Sequence, residues 1–576
     1  MNNYFKDNDR LEKILHHPLM HSIVDMMEDG YTQSEKYAIA PDSFEDAIDS
    51  YYNSMEILGG ICASEIAGNA KGVDLEGPKC IDGCVKYASG TEQDHKILIE
   101  SGLYGLSLPR EYNGLNFPTV LFSMSSELIS RADASFDNIW SLQDCAKTIE
   151  EFGSDEQKSY FLPKIEKGAT CSMDLTEPDA GSDLQAVQLK ASFDEEKQTW
   201  VLNGVKRFIT NGDSDIHLIV ARSEENTLDA RGLSLFVYEK QSGGMTVRRI
   251  EHKLGIIGSP TCELVFKDAP VQLVGNRRMG LIKYVMAMMN GARLGIGAQS
   301  VGIAEAAYRA SLDYGVERKQ YGQFISEFPA VAEMLAVMRT KIDASRELLY
   351  ETSRQVDLSH CYSVQSGKRN LTPEERSAMK EAAKKADLYT PILKLLSGEF
   401  CNEICYDAIQ ILGGCGYTKD FPVERYYRDA RVLTIYEGTS QMQVVAVMKY
   451  VNDNALLNIL REHETKTASI EGYSSEKELL RSLTDIYQTM KQKCAEMDTT
   501  TFHARRIVET GSYLIISYIL MENINDERSR MSFIHFLKMA EALTAHHEKY
   551  ICTDSRALYP IIMNVSEPLA HNSSLT

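Results

Sequence analysis

The chain has 576 residues, of which 43% are hydrophobic and 25% charged, and its formal net charge is -21. At roughly 150 residues per domain this is long enough for several cores. The acidic balance excludes nucleic acid or an anionic membrane as a standing partner, because a phosphate-neutralising surface would have to be built against the overall field.

Twelve cysteines are scattered without a dense framework, and Met1 to Arg10 lacks the basic, apolar and small-residue succession of an export signal. They read as reduced thiols in a cytoplasmic protein. The most apolar stretch, Gly511 to Met521, is about half of the ~20 residues that cross a bilayer, so no integral membrane segment is expected.

Residues 1–165 read mostly as helix, with polar breaks at Ala40-Pro41-Asp42-Ser43 and Pro109 to Gly114. The pattern then changes. Val187, Leu189, Ala191 and Phe193 alternate with polar residues, as a half-buried strand does. Trp200 to Lys206 carries Asn203-Gly204 between apolar stretches and predicts a hairpin turn there. Further strands are expected at Ile216 to Ala221, Gly232 to Tyr238 and Thr261 to Phe266, a turn-broken set that suits a small barrel or sandwich.

From Leu281 the helical period returns, with Val331, Leu335, Met338, Ile342 and Leu349 on one face and a run of small residues from Gly291 to Gly302. The polar segment Asp357 to Leu371 reads as irregular, and Thr372-Pro373-Glu374-Glu375 as a capping box that starts a new helix. Helix-like segments, 502 to 521 among them, continue to about Leu558.

The expected fold is α+β and multidomain: an N-terminal α-helical domain (1–165), a β-barrel-like middle domain (166–278), a four-helix bundle (279–450) and a C-terminal helical extension (451–576). Cys80 with Cys84, and Cys401 with Cys405, are spaced as on one helical face. Neither pair has a second pair at zinc-site spacing, so no metal is expected.

Four segments carry candidate chemistry. Thr176-Glu177-Pro178-Asp179-Ala180-Gly181-Ser182-Asp183 is a loop rich in hydroxyls and backbone donors, suited to the edge of a flat heteroaromatic ring but equally to a plain turn. Arg318-Lys319-Gln320-Tyr321-Gly322 offers a permanent charge for a pyrophosphate. Gln410 to Tyr417 contains Gly413-Gly414, which lets backbone N–H groups approach a ligand or simply caps a helix. In Tyr436-Glu437-Gly438-Thr439-Ser440-Gln441 a lone glutamate follows an apolar run and precedes a helix start. Burial there raises a carboxyl pKa and makes a stronger base once water is excluded.

Taken together, the stretches Leu175 to Asp183, Arg207 to Gly212, Leu254 to Val271, Arg293 to Gly322 and Ile409 to Gln443 resemble the acyl-CoA dehydrogenase family, in the family's order. Length, the segment at 357–375 and the helical tail are similar to the long branch that includes methylmercaptopropionyl-CoA dehydrogenases and long mycobacterial acyl-CoA dehydrogenases.

The resemblance implies an FAD enzyme that converts a saturated acyl-CoA to its trans-2-enoyl-CoA. Glu437 is implied as the base that takes the α-proton. The alternative position that some relatives use is Ala292 in this chain. Thr176, Ser182, Phe208 and Thr210 are implied neighbours of the isoalloxazine, with Phe208 standing where many relatives have tryptophan. Arg318 and Tyr321 would meet the FAD diphosphate and adenosine end, and Thr439 and Gln441 would close over the same FAD. Gln410, Gly413 and Gly414 would reach the FAD of a neighbouring subunit, which implies a homodimer. Ser182, Asn290, Arg293 and Gly438 are implied along the acyl-CoA path, although relatives often carry an acid at the position of Asn290. The backbone N–H of Glu437 and an FAD ribityl hydroxyl would polarise the thioester oxygen.

Electron-transfer flavoprotein is the implied acceptor. The related acyl-CoA oxidases pass electrons to O₂ instead, and are the first rival. A DNA-associated or non-catalytic member is the second, but residues 451–576 hold more acidic than basic side chains.

Overall fold

The computed structural model describes residues 2–553. The N-terminal part is helical; its helix α1 (Thr119–Trp140) is buried along almost its whole length, and two shorter helices, Cys145–Phe152 and Asp155–Glu166, follow it before the first barrel strand. α1 is kinked at Asp133, whose backbone is extended (φ -151, ψ 107) and whose carboxylate accepts the backbone N–H and the hydroxyl of Ser135. The helical reading of this part missed one hairpin. Cys80 and Cys84 lie on its two short strands, Lys79–Ile81 and Cys84–Lys86, rather than on a helical face.

Seven strands follow: β1 (Cys171–Asp174), β2 (Lys190–Asp194), β3 (Thr199–Thr210), β4 (Ile216–Arg222), β5 (Leu233–Glu239), β6 (Met245–Ile250) and β7 (Thr261–Val274). β4 pairs in turn with β2 and β5, and β3 and β7 complete the ring, so the sheet closes into a barrel with β1 added beside β4 and β6 beside β7. β4 is buried on both faces. Ile219 and Ala221 point into the barrel core with Leu202, Phe236 and Leu264, while Leu218 and Val220 pack outward against Ile149, Phe161 and Leu281. This two-sided burial explains its continuous apolar run.

Asn203-Gly204 is not a hairpin turn. β3 runs straight through it, with a bulge against β7 between Leu202 and Gly204, and the hairpin from β2 turns instead at residues 195–198. An Asn-Gly pair supplies the unusual backbone angles of a bulge as readily as those of a turn, and pairing with β7 on the other side of β3 decided between them.

The bundle is built from α2 (Met286–Glu317), α3 (Pro329–Lys368), α4 (Pro373–Leu412) and α5 (Ser440–Asn452). α2 starts after a π-helical turn at Gly280–Val285. α3 extends through the polar segment expected to be irregular, because the start of that segment is held by tertiary contacts: buried Asp357 accepts Thr119 N at 2.7 Å and Val120 N at 3.1 Å at the start of α1, and Cys361 is buried. The capping box at Thr372 forms as expected: Thr372 Oγ1 accepts Glu375 N at 3.2 Å and Glu375 Oε2 accepts Thr372 N at 2.8 Å.

A buried ion network ties α1, α2 and α3 together. Arg346 donates to Glu127 at 2.7 Å and to Glu305 at 2.9 Å, and Tyr350 donates to Glu127 at 2.8 Å. Four further helices, α6 (Ala455–Thr467), α7 (Ser474–Glu496), α8 (Ala504–Glu522) and α9 (Glu527–Cys552), share the bundle's hydrophobic core. The expected helical continuation toward Leu558 lies outside the described residues beyond 553. No helix among the described residues is long and apolar enough to cross a membrane.

Candidate active site

A cleft opens where the helical domain, the barrel and the bundle meet. It is lined by the end of α1 and residues 141–145, the loop after β1, the end of β3, the first turns of α2, and Tyr436, Glu437 and Gly438.

The barrel wall is held by a buried ion pair. Lys206, fully buried, donates to Glu177 Oε1 at 2.9 Å and to Leu175 O at 2.8 Å, and burial pulls its pKa down against the pull of Glu177. Glu177 also accepts the backbone N–H groups of Gln188 and Leu189, at 2.7 and 2.9 Å. Arg207 N then donates to Thr176 O at 2.9 Å, so the Thr176 loop is stitched to β3.

Next along β3, a second bulge between Lys206 and Ile209 puts Phe208 at φ +60 and leaves it 52% exposed. A bulky residue in left-handed backbone costs about 1–3 kcal/mol, and such strain persists where the surroundings impose it, often at functional sites. The hydroxyls of Thr176 and Thr210 also line the cleft, and no hydrogen bond to either occurs among the described residues. An exposed ring flanked by two free hydroxyls suits a planar heteroaromatic group with a polar edge.

Opposite stands Glu437, between a 3₁₀ turn (Arg431–Thr434) and α5, whose N-cap is Thr439. Glu437 and Gly438 are both left-handed, at φ +53 and +89. The strained pair is pinned through its carbonyls. Arg293 Nε donates to Glu437 O at 3.3 Å, Gln443 Nε2 to Glu437 O at 3.3 Å and Gly438 O at 2.9 Å, and Lys394 Nζ to Gly438 O at 2.5 Å.

The carboxylate of Glu437 and its backbone N–H, by contrast, make no hydrogen bond among the described residues. Burial raises the pKa of Glu437, while the charges of Arg293 and Lys394 hold it down. Lys394 is itself fully buried and pushed down to about 8. The site therefore presents a desolvated base with its lone pairs free and an unpaired donor on the same residue.

Five of the expected residues thus line one cleft: Thr176, Phe208, Thr210, Glu437 and Gly438. Ser182 is exposed between two that do, Gly181 and Leu184. Arg293 braces the Glu437 loop, and its Nη1 donates to Asn290 Oδ1 at 3.3 Å; neither residue lines the cleft. Thr439 and Gln441 line a separate open cavity with Asn402, Tyr406 and Arg431.

Arg318 and Tyr321, after α2, and Gln410, Gly413 and Gly414, at the end of α4, are exposed at one end of the bundle. Tyr314 and Phe421 bring these two ends together, their rings 5.7 Å apart. Gly413, at φ +60, does cap α4. Among the described residues no group of three or more His, Cys, Asp or Glu is placed to hold a metal.

The roles of Lys394, Gln443, Glu177 and Lys206 escaped the sequence reading. Lys394 left a signal, as the lone charge in Ile392-Leu393-Lys394-Leu395-Leu396; the role of the others depends on contacts between distant segments.

Models of the acyl-CoA dehydrogenase N-terminal, middle and C-terminal domains match residues 87–169, 172–269 and 282–451, and a further acyl-CoA dehydrogenase C-terminal model matches 453–555. The 3-methylmercaptopropionyl-CoA dehydrogenase of Ruegeria pomeroyi is 34% identical over 422 residues, 69% of either chain. A structure described as electron transferring flavoprotein of Acidaminococcus fermentans contains a chain 30% identical, with a TM-score of 0.60 over 70% of this chain and 97% of that one. The acyl-CoA dehydrogenase of Bacillus anthracis complexed with FAD has the same fold, with a TM-score of 0.72 over 87% of this chain and 88% of that one, at 23% identity.

Fold and matched domains together define an FAD-dependent oxidoreductase, and the lining of the cleft suits a flat heteroaromatic ring. The chain belongs to the acyl-CoA dehydrogenase family and carries that family's additional C-terminal domain.

Proposed function

We propose that Glu437 is the base that removes the α-proton of an acyl-CoA in this cleft, giving a trans-2-enoyl-CoA. The observation that carries this reading is the state of Glu437: left-handed, braced through its carbonyl, with carboxylate and backbone N–H both unpaired at a desolvated cleft. A thioester α-proton is too weak an acid for a carboxylate unless the thioester oxygen receives hydrogen bonds that strengthen as negative charge develops. The N–H of Glu437 is a donor left unpaired beside the carboxylate among the described residues. Arg293, Gln443 and Lys394 hold the loop so that donor and carboxylate keep one geometry, and the apolar wall of Leu142, Leu175 and Ile296 keeps water from the base.

The FAD, when bound, supplies the two-electron acceptor for the β-hydride as the Cα–Cβ double bond forms. Thr176, Phe208 and Thr210 are the residues that would hold its ring, with Ser182 at the rim. Thr439, Gln441, Arg318 and Tyr321 would hold the rest, and Asn290 and Arg293 would flank the acyl-CoA. Gln410, Gly413 and Gly414 are exposed and away from the cleft, which supports their use toward a partner subunit in a dimer. The likeness to a chain in the Acidaminococcus structure supports electron-transfer flavoprotein as the acceptor, and a cytoplasmic location is part of the same proposal.

Anaerobic titration of the purified protein with saturated acyl-CoAs tests the reading. Wild-type flavin absorbance is expected to bleach, while that of Glu437→Gln stays oxidised with FAD still bound. Equal bleaching of both proteins would remove Glu437 from the chemistry, and rapid O₂ consumption during turnover would favour an oxidase.

A further inference from the structure

One wall of the cleft is polar. Asp137 and Asn138, at the end of α1, and Ser141 and Asp144, in the 3₁₀ turn that follows, all line it. Asp137, Ser141 and Asp144 stand four and three residues apart, the spacing of one helical face, and so form a stripe roughly 10–12 Å long. The wall opposite, from Met288 to Ile296 on α2, is apolar or small, and at Gly295 an added Cβ would meet nothing within 4 Å. No lysine or arginine lines the cleft among the described residues.

The members of the stripe differ in how far their polar atoms are already used. Asp144 is paired from outside the cleft, with Lys147 Nζ 2.9 Å from its Oδ1. Asp137 has no such partner. It is 2% exposed, its Oδ1 accepts the hydroxyl of Ser126 at 2.8 Å, and its Oδ2 takes no hydrogen bond and no ion pair among the described residues. Burial pushes its carboxyl up to about 7, and the charge of Asp133 adds to the rise. Asn138 is 9% exposed. Its Oδ1 accepts Gln299 Nε2 at 2.8 Å, and its own amide hydrogens have no acceptor among the described residues. An acceptor and a donor, both on side chains at least nine-tenths buried, thus lie side by side and unused at the cavity wall.

An alkyl tail laid against this pair would strip away the water that serves it and give nothing back. A hydroxyl would donate to Asp137 Oδ2 and accept from Asn138 Nδ2, which completes both. An ammonium group could answer Asp137 but would leave Asn138 unmatched, and a carboxylate would meet a like charge. The pair is also close to the reacting centre: the Tyr436 phenol is pushed up by burial and then by the charges of Asp137 and Glu437, so both carboxyls lie near one ring.

We propose that Asp137 and Asn138 form a subsite for a hydroxyl on the tail of the acyl group, so that the enzyme takes hydroxylated acyl-CoAs in preference to plain fatty acyl-CoAs. This rests on the reading of the cleft as the acyl-CoA site with Glu437 as its base. A site built to hydrogen-bond a substrate group rejects the analogue that lacks it far more strongly than a hydrophobic pocket rejects a missing methylene.

The test uses FAD-loaded wild type, Asp137→Asn and Asp137→Leu. The ligands are six- and eight-carbon acyl-CoAs ending in hydroxyl, ammonium or carboxylate, each beside the unsubstituted acyl-CoA with the same number of heavy atoms in its tail. Two readouts are taken: calorimetric affinity on a Glu437→Gln background, and the anaerobic rate of flavin bleaching. Wild type is expected to favour the hydroxyl tail over the alkyl tail by about 100-fold. Asp137→Asn, which keeps the shape of the side chain and a partner for Ser126, is expected to reduce that ratio to about 10-fold or less, and Asp137→Leu to reverse it. Equal or tighter binding of the alkyl tail by wild type would overturn the proposal, as would an unchanged ratio in Asp137→Asn. Tighter binding of the ammonium tail than of the hydroxyl tail would overturn the choice of group. If affinity follows the tail group as expected but no acyl-CoA bleaches the flavin, the subsite stands and the assignment of the base fails.

Discussion

Replacing Glu177 by alanine tests how the flavin-side wall is held. The substitution takes the anionic partner from Lys206, a fully buried ammonium that would keep only Leu175 O, and it also orphans the N–H groups of Gln188 and Leu189. Removing one member of a buried pair costs about 3–5 kcal/mol, and each orphaned amide adds about 1–3 kcal/mol unless water reaches it. A loss of at least about 5 kcal/mol for the barrel is therefore expected. Lys206→Met is milder, at about 3 kcal/mol, because Glu177 loses its cation but keeps both backbone donors. The double variant Glu177→Gln/Lys206→Met should cost less than the sum of its parts, since the two residues act on each other.

Urea denaturation followed by the fluorescence of Trp200, which lies in β3, reports the barrel; Trp140, in α1, is replaced by Phe in every protein compared. The FAD-to-protein ratio after gel filtration reports the Thr176 loop. If Lys206→Met shifted the midpoint as much as Glu177→Ala, or if Glu177→Ala retained both midpoint and FAD, the loop would be anchored by something other than this pair.

Other outcomes follow from the same contacts. Lys394→Met removes a charge that lowers the pKa of Glu437, so the acid limb of the flavin-reduction rate should move to higher pH by about one unit; a profile that only falls in amplitude would limit Lys394 to a structural role. Glu437 has a folded pKa above its ordinary 4.5, so the folded state binds that proton more tightly than the unfolded chain does. The resulting penalty grows as pH rises from 4.5 through the folded value and is complete above it. Glu437→Gln should therefore melt at a higher temperature than wild type near neutral pH, and the gap should close in acid. Arg346→Met leaves Glu127 and Glu305 buried without their shared cation and should cost about 3–5 kcal/mol in denaturation of the helical core.

The sequence by itself determined the domain class and order, because periodicity is local: the apolar stripe of α3, the alternation into β2 and the capping box at Thr372 are each written within one element. It also marked the glutamate, since an acid in an apolar run before a helix start shows over ten residues. Tertiary structure decided what a segment's neighbours decide. Asn203-Gly204 became a bulge because β7 pairs with β3 on the side away from the hairpin. The polar 357–368 segment stayed helical at the end of α3, where Asp357 is bonded to the first backbone N–H groups of α1. The bracing of Glu437 by Lys394 and Arg293, the anchoring of Thr176 through Lys206 and Glu177, and the bond from Gln299 to Asn138 join residues far apart in the chain. No local pattern encodes those contacts, because burial and pairing are properties of the packed elements and arise only when the three domains meet.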